Sequence, residues 1–232
     1  MKSGFLLLSV VFLLSACSNG NKKNSNNNVL NLDKTKKVKI GTQTWMAENL
    51  NVSTFRNGDP ILQAKTDEEW EKAGKNKQPA WCYYDNDPEN GSKYGKLYNW
   101  FAVNDPRGLA PKGWHVPSNH EWGILSAFLG GREIAGRKMK SSNGWQTIEI
   151  NREKYYGNGS NESGFTGYPG GIRFGSSYKN KFNGVGVYGS WWSSSLDDIQ
   201  LVFCRSLVLK FDYIWVHTEG KSLGHSVRCI KD

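Results

Sequence analysis

The sequence predicts an α+β domain with a mainly antiparallel sheet and long loops. Helix-start signals lie in the first part of the chain, and alternating apolar patterns dominate after residue 140. The 232 residues also hold 26 glycines beside ten tryptophans, ten tyrosines and ten phenylalanines. Early helices and late strands point to segregated layers, whereas regular alternation would predict a parallel sheet. The glycine and aromatic content fits short strands, tight turns and ordered loops.

The first element is a hairpin. Val38-Lys39-Ile40 and Gln43-Thr44-Trp45 flank Gly41-Thr42, an alternating pattern about a two-residue turn. Thr66 then offers an N-cap with Glu69 three residues on, which predicts a short helix that fades at Gly74. Ser118 and Glu121 repeat that capping grammar, with Trp122 in the place Trp70 holds. From there Trp122, Leu125 and Leu129 share one face with Phe128 alongside, and Gly130-Gly131 ends the helix. Two short helices are therefore expected early. Beyond residue 140, Trp145–Ile150 reads as a strand and Asn158–Gly171 as a loop. Residues 189–195 lead into an alternating strand over 200–211, and 213–217 with 226–230 look like a closing pair.

The first sixteen residues have a different character. Lys2 precedes an apolar run from Phe5 to Leu14, too short for a permanent transmembrane helix and proportioned like a signal-peptide core. Its end, Leu14-Ser15-Ala16-Cys17, matches a bacterial lipobox, so residues 1–16 are expected to be cleaved and Cys17 to be acylated. Acyl chains add ~0.8 kcal/mol per buried methylene, and more than one makes a stable membrane anchor. Ser18 follows the cysteine where aspartate would favour the inner membrane, so an outer-membrane lipoprotein is expected, periplasmic or surface-facing. The Asn-rich stretch after it cannot bury apolar surface. Residues 17–37 then form a tether of about 20 residues reaching roughly 25 Å, and 38–232 form the domain.

The net charge is +9, and removing Lys2 with the signal peptide leaves +8. The lysines are scattered and not gathered on one helix, which together with the compartment argues against nucleic acid. Weak attraction to acidic envelope polymers or lipid headgroups accounts for the charge. With Cys17 lipidated, Cys82, Cys204 and Cys229 remain, and spacing does not choose among three pairings.

Several motifs fail on inspection. His120-Glu121-Trp122-Gly123-Ile124 begins like H-E-x-x-H, but Ile124 stands where the second zinc ligand belongs. Gly184–Gly189 spells G-x-G-x-x-G, yet SWWSSS follows it and not a helix. Asp85, Asp87 and Glu89 alternate like calcium-loop oxygens, but Lys96 replaces the bidentate glutamate, leaving a looser calcium site at Asp85 and Asp87. No other cofactor is implied. The adjacent pairs Tyr83-Tyr84, Tyr155-Tyr156 and Trp191-Trp192 remain. On a strand neighbours point to opposite faces, so one of each pair is expected outside the core. Tyr83, Tyr84, Trp191 and Trp192 are thus the candidate ligand-binding aromatics, unless they cover a second minor core under the loops.

WMAENL (45–50), CYYDNDPENGSKYGKLYNW (82–100), APKGWHVPSNHEW (110–122), SGFTGYPGG (163–171), GSWWSSS (189–195) and SVRCIKD (226–232) resemble the Fibrobacter succinogenes major paralogous domain family. The likeness runs over essentially all of 38–232 and implies a lipid-anchored or secreted envelope protein. The motif order is also similar to the formylglycine-generating enzymes, which implies an elaborated C-type-lectin-like fold. That enzyme uses two neighbouring cysteines for copper, whereas Cys204 stands alone in its strand, and the calcium motifs of sugar-binding lectins are absent. A non-catalytic binding module for a glycan or a surface protein is therefore expected. The alternatives are an envelope-polysaccharide enzyme with a carboxylate pair, or a structural or adhesive component. Metabolic labelling with palmitate should mark the wild-type chain and not Cys17→Ser; equal labelling of both would remove the lipobox reading.

Overall fold

The computed structural model describes residues 36–175 and 181–232, so Cys17 and most of the tether lie outside the described residues. The chain forms β1 (Lys37–Ile40), β2 (Gln43–Met46), β3 (Leu62–Gln63), α1 (Asp67–Lys75), β4 (Ala80–Cys82), α2 (Pro88–Tyr94), β5 (Leu97–Tyr98) and α3 (Trp100–Val103). There follow β6 (Trp114–His115), α4 (Asn119–Phe128), α5 (Arg132–Met139), β7 (Thr147–Ile150), β8 (Glu153–Tyr156) and β9 (Gly170–Arg173). The last elements are β10 (Phe182–Val185), β11 (Tyr188–Leu196), β12 (Leu201–Val208), β13 (Trp215–Gly220) and β14 (Ile230–Lys231). The class is α+β, as expected. The sheets run β1-β2-β14-β6, β10-β9-β11-β12-β13, β3-β4-β5 and β7-β8, with parallel pairing only at β3/β4 and β9/β11 among the named strands. Among the described residues no helix is long and apolar enough to cross a membrane.

Local signals act where they were read. Gly41 turns the first hairpin at φ +61°, a left-handed conformation that suits glycine, and Ile40 pairs with Gln43. Thr66 caps α1 by accepting from the Glu69 amide at 3.2 Å, while the Glu69 carboxylate accepts from Lys65 one residue before the cap. The capping box at α4 is complete. Ser118 Oγ accepts from the Glu121 amide at 3.2 Å, and Glu121 Oε2 accepts from the Ser118 amide at 2.7 Å. Trp122 and Leu125 are buried on its inner face, and Leu129 follows them.

Among the described residues, three further α-helices accompany the two expected. Asp87 caps α2, with Pro88 at its first position. Asn99 caps α3, whereas α5 starts from Gly131 with no side-chain cap. Phe128 is a correction: its side chain is 62 % exposed and lies over the Gly41 turn, where an added Cβ would meet the ring at 2.8 Å. The expected closing pair is another. β13 pairs with β12, while Ile230 of β14 sits between Trp45 of β2 and His115 of β6. The C-terminal strand thus closes the sheet begun by the first hairpin, which buries Val227, Cys229 and Ile230.

The C-terminal run also carries Arg228, a fully buried guanidinium. Its Nε and Nη2 donate to Asn49 Oδ1 at 3.1 and 2.6 Å, and its Nη1 to Met46 O at 3.2 Å and to Phe165 O. The cation sits 4.3 Å from the Phe165 ring centroid. Burial pulls its pKa down to about 9. Arg228→Leu should cost about 3 kcal/mol or more by stranding several buried acceptors, against about 1 kcal/mol for Ser118→Ala. Urea midpoints at unchanged m-value check this, and a loss under about 1 kcal/mol for Arg228→Leu would refute it.

Candidate functional site

The structure places the sequence-derived candidates differently from one another. Trp191 and Trp192 do point to opposite faces of β11, but both faces are core. They are 1 % and 0 % exposed, so neither ring is offered to a ligand. Trp191 packs with Trp45, Trp122, Phe165 and Leu207, and Trp192 with Tyr98, Cys204 and Val227. The rule that one neighbour must face out holds for a sheet with one wet face; β11 is sandwiched between two cores. Tyr84 is also buried, against Phe182 at 5.2 Å. Tyr83 is half-buried over Gly91 and packs edge-on to Trp81 at 5.1 Å. The expected aromatic platform is not assembled by these four residues.

Asp85 lies in a helical turn over Tyr84–Asn86 at φ +55°, and Asp87 caps α2 by accepting from the Glu89 amide at 2.9 Å. Burial, then the nearby Asp87 charge, raises the Asp85 pKa. Among the described residues no three His, Cys, Asp or Glu side chains are grouped to hold a metal. Cys82, Cys204 and Cys229 are buried free thiols. Burial pushes Cys82 and Cys229 to about 12 and Cys204 well above its ordinary range, so none has thiolate character. His115 is held between Glu121 Oε1 and Asp232 Oδ1, both at 2.8 Å. Burial opposes its protonation, but the two carboxylate hydrogen bonds outweigh that and raise its pKa.

The densest polar constellation was not singled out in the sequence. On one face of the five-stranded sheet, Ser190 lies opposite Ser206, Ser206 opposite Trp215, Cys204 opposite His217, and Val202 opposite Glu219. Ser206 Oγ is 2.9 Å from His217 Nε2, 2.6 Å from Tyr188 Oη and 2.9 Å from Ser190 Oγ. Ser190 Oγ lies 2.8 Å from His225 Nδ1, and the His225 ring stands edge-on to Trp192 at 4.3 Å. Glu219 Oε1 is 3.8 Å from His217 Nδ1, close enough for charge but long for a hydrogen bond. A hydrogen-bonded chain therefore leads from a half-buried His217 inward to a fully buried His225. The only signal for it was strand spacing: Ser190/Trp192, Cys204/Ser206 and Trp215/His217/Glu219 each repeat with period two.

Serine, imidazole and carboxylate in a row resemble a nucleophilic site in composition. Ser206 is fully buried, however, and its hydroxyl is shared among three partners, leaving no approach for a substrate. What reaches solvent is the outer end. Trp215 is 43 % exposed on the edge strand β13, its ring 4.6 Å from that of His217, with Glu219 further along the same face. Burial, then the Arg205 charge, lowers His217 to about 4; burial, then His217, lowers His225 to about 3. Burial raises the Glu219 pKa.

Fold and geometry define an α+β domain whose polar constellation is drawn into its interior and whose solvent-facing end is an aromatic edge. Residues 38–231 match the Fibrobacter succinogenes major domain, and the chain belongs to that family. No curated protein and no solved structure matches it.

Both histidines hold less proton folded than unfolded, so acidification from pH 6.5 towards 4 should destabilise the fold, as the unfolded chain takes up protons the native state refuses. His225 accounts for roughly 2 kcal/mol of that loss by pH 4.5. His115 acts in the opposite sense, so a variant comparison isolates the term. His225→Gln should lose less stability than wild type between pH 7 and pH 4.5 in urea melts; equal losses would contradict neutral burial of this ring.

Proposed function

We propose that this chain is a non-catalytic binding module held on the bacterial cell envelope, at the outer membrane, by a lipidated Cys17, and that it binds a glycan through Trp215. The observation that carries the reading is the half-exposed Trp215 ring beside His217 and Glu219 at the solvent end of a rigid sheet. A flat apolar ring flanked by groups that donate and accept hydrogen bonds suits the mixed faces of a sugar. Because the ring sits on a paired strand and not on a loop, binding costs little ordering.

The placement of carboxylates supports binding over hydrolysis. Glu121 and Asp232 hold His115, Asp59 and Asp105 hold Arg107, Asp67 holds Arg173, and Glu71 holds Lys181. A cavity of about 170 Å³ beside α1 has Glu71 as its single carboxylate, whereas a glycosidase needs a pair across one cleft. The kinship with the C-type-lectin-like fold of formylglycine-generating enzymes belongs to the same proposal, without the oxidase: the Cys204 thiol is buried and protonated, unsuited to copper.

A partner protein is the second reading, favoured by one observation. β13 is the end strand of its sheet, paired on one side with β12, and carries neither proline nor lysine to block a further strand. An array of bacterial envelope glycans probed with the Cys17→Ser chain, with and without calcium, should show retention that Trp215→Ala weakens more than tenfold, as expected of a central aromatic anchor. Absence of binding on every glycan would refute the sugar reading.

A further inference from the structure

Helix α4 is apolar on two sides. Trp122, Leu125 and Leu129 face the core, while Ile124 and Phe128 stand on the outside with Ala127 exposed between them. Together with Lys39, Gly41 and Thr42 from the β1–β2 turn, these three line a shallow groove of about 710 Å³. The apolar strip continues into α5. Ile134, itself exposed, reaches to 2.7 Å of where a Cβ on Gly130 would stand, and Lys138 Nζ lies 3.8 Å from the same point. Water-facing Phe and Ile side chains set side by side are unusual in a chain whose other large apolar residues are mostly interior.

The rim is basic. Lys37, Lys39 and Arg132 are exposed and Lys138 is half-buried, and among the described residues none of the four has a carboxylate within ion-pair distance. Glu121, the carboxylate nearest the start of α4, is committed to His115 and the Ser118 cap. Glu133 is the acidic residue of α5. An exposed apolar strip edged by unpaired cations is complementary to an anionic bilayer surface, where rings enter the headgroup boundary and ammonium groups meet phosphates.

The position of the strip in the chain points to the same occupant. β1 is the first element of the domain, and its turn forms one wall of the groove. Eighteen residues separate Cys17 from Lys36, and a coil of that length would reach roughly 25 Å. A lipid on Cys17 would thus keep the β1 end of the domain within reach of the bilayer.

We propose that the face built from α4, the start of α5 and the β1–β2 turn lies on an anionic membrane surface. Phe128, Ile124 and Ile134 enter the headgroup region, and Lys39, Arg132 and Lys138 meet the lipid phosphates. The inference rests on the anchoring part of the function proposed above and is independent of the glycan site. The test uses the full chain with Cys17→Ser, so that no acyl chain contributes, and sedimentation with vesicles of phosphatidylglycerol and phosphatidylethanolamine or of phosphatidylcholine alone. Binding is expected to the anionic vesicles, weakening in high salt. Adding Phe128→Ser and Ile134→Ser should reduce it by roughly tenfold or more with an unchanged thermal midpoint, and Lys39→Glu with Lys138→Glu should remove the preference for anionic lipid. Equal sedimentation of parent and both variants would overturn the proposal, since residues 1–16 would then be responsible. So would a photo-crosslinker at position 128 that captures one protein in cells and no lipid. A failure of palmitate labelling would remove the anchor while leaving the vesicle result to stand or fall by itself.

Discussion

The buried Arg228 guanidinium is the constraint on which most of this structure depends. Among the described residues it has no carboxylate partner; its donors are spent on Asn49 Oδ1 and on the carbonyls of Met46, Phe165 and Thr166. These belong to the end of the first hairpin and to the long loop before β9, so one side chain from the C-terminal run ties three distant parts of the chain. Asn49 extends the tie: its Oδ1 also accepts from Trp191 Nε1 at 2.8 Å, and its Nδ2 donates to Tyr94 O at 2.8 Å. A cation buried among carbonyl dipoles is stable only while every donor is satisfied. That requirement holds a glycine-rich loop in one conformation with little secondary structure of its own.

Around this hub the two cores meet at β11. One contains Trp192, Cys204 and Val227, the other Trp191, Trp122 and Phe165. With both faces of the strand dry, its serines must find partners within the protein, and Ser190, Ser206, Tyr188, His217 and His225 supply them to one another. The same enclosure holds both imidazoles neutral, leaves His225 Nε2 without a hydrogen-bond partner and denies Ser206 a substrate. Chemistry-bearing residues are thereby used as cross-strand struts, and what the sheet leaves outside is the Trp215 edge and the α4 face.

Local, short-range physics was legible in the residues. The Ser118/Glu121 box, the Thr66 cap, the Gly41 turn and the inner face Trp122-Leu125-Leu129 depend on neighbours within a few positions. Even α2 carried a readable start in Asp87-Pro88, while α5 began at Gly131 with no capping side chain to announce it. Trp191-Trp192 was misread for a definite reason. Period two assigns side chains to faces, but nothing within the strand says whether each face meets water.

The sequence by itself determined the class of fold, the family and the chief local elements, because capping, turn chemistry and periodicity act over a few residues. Only the tertiary structure decided that β14 joins β2 and not β13, that three cysteines remain thiols, and that the aromatic pairs are core. Those outcomes depend on which surfaces meet across more than a hundred residues, as Arg228 meets Asn49, and no local pattern encodes such a meeting.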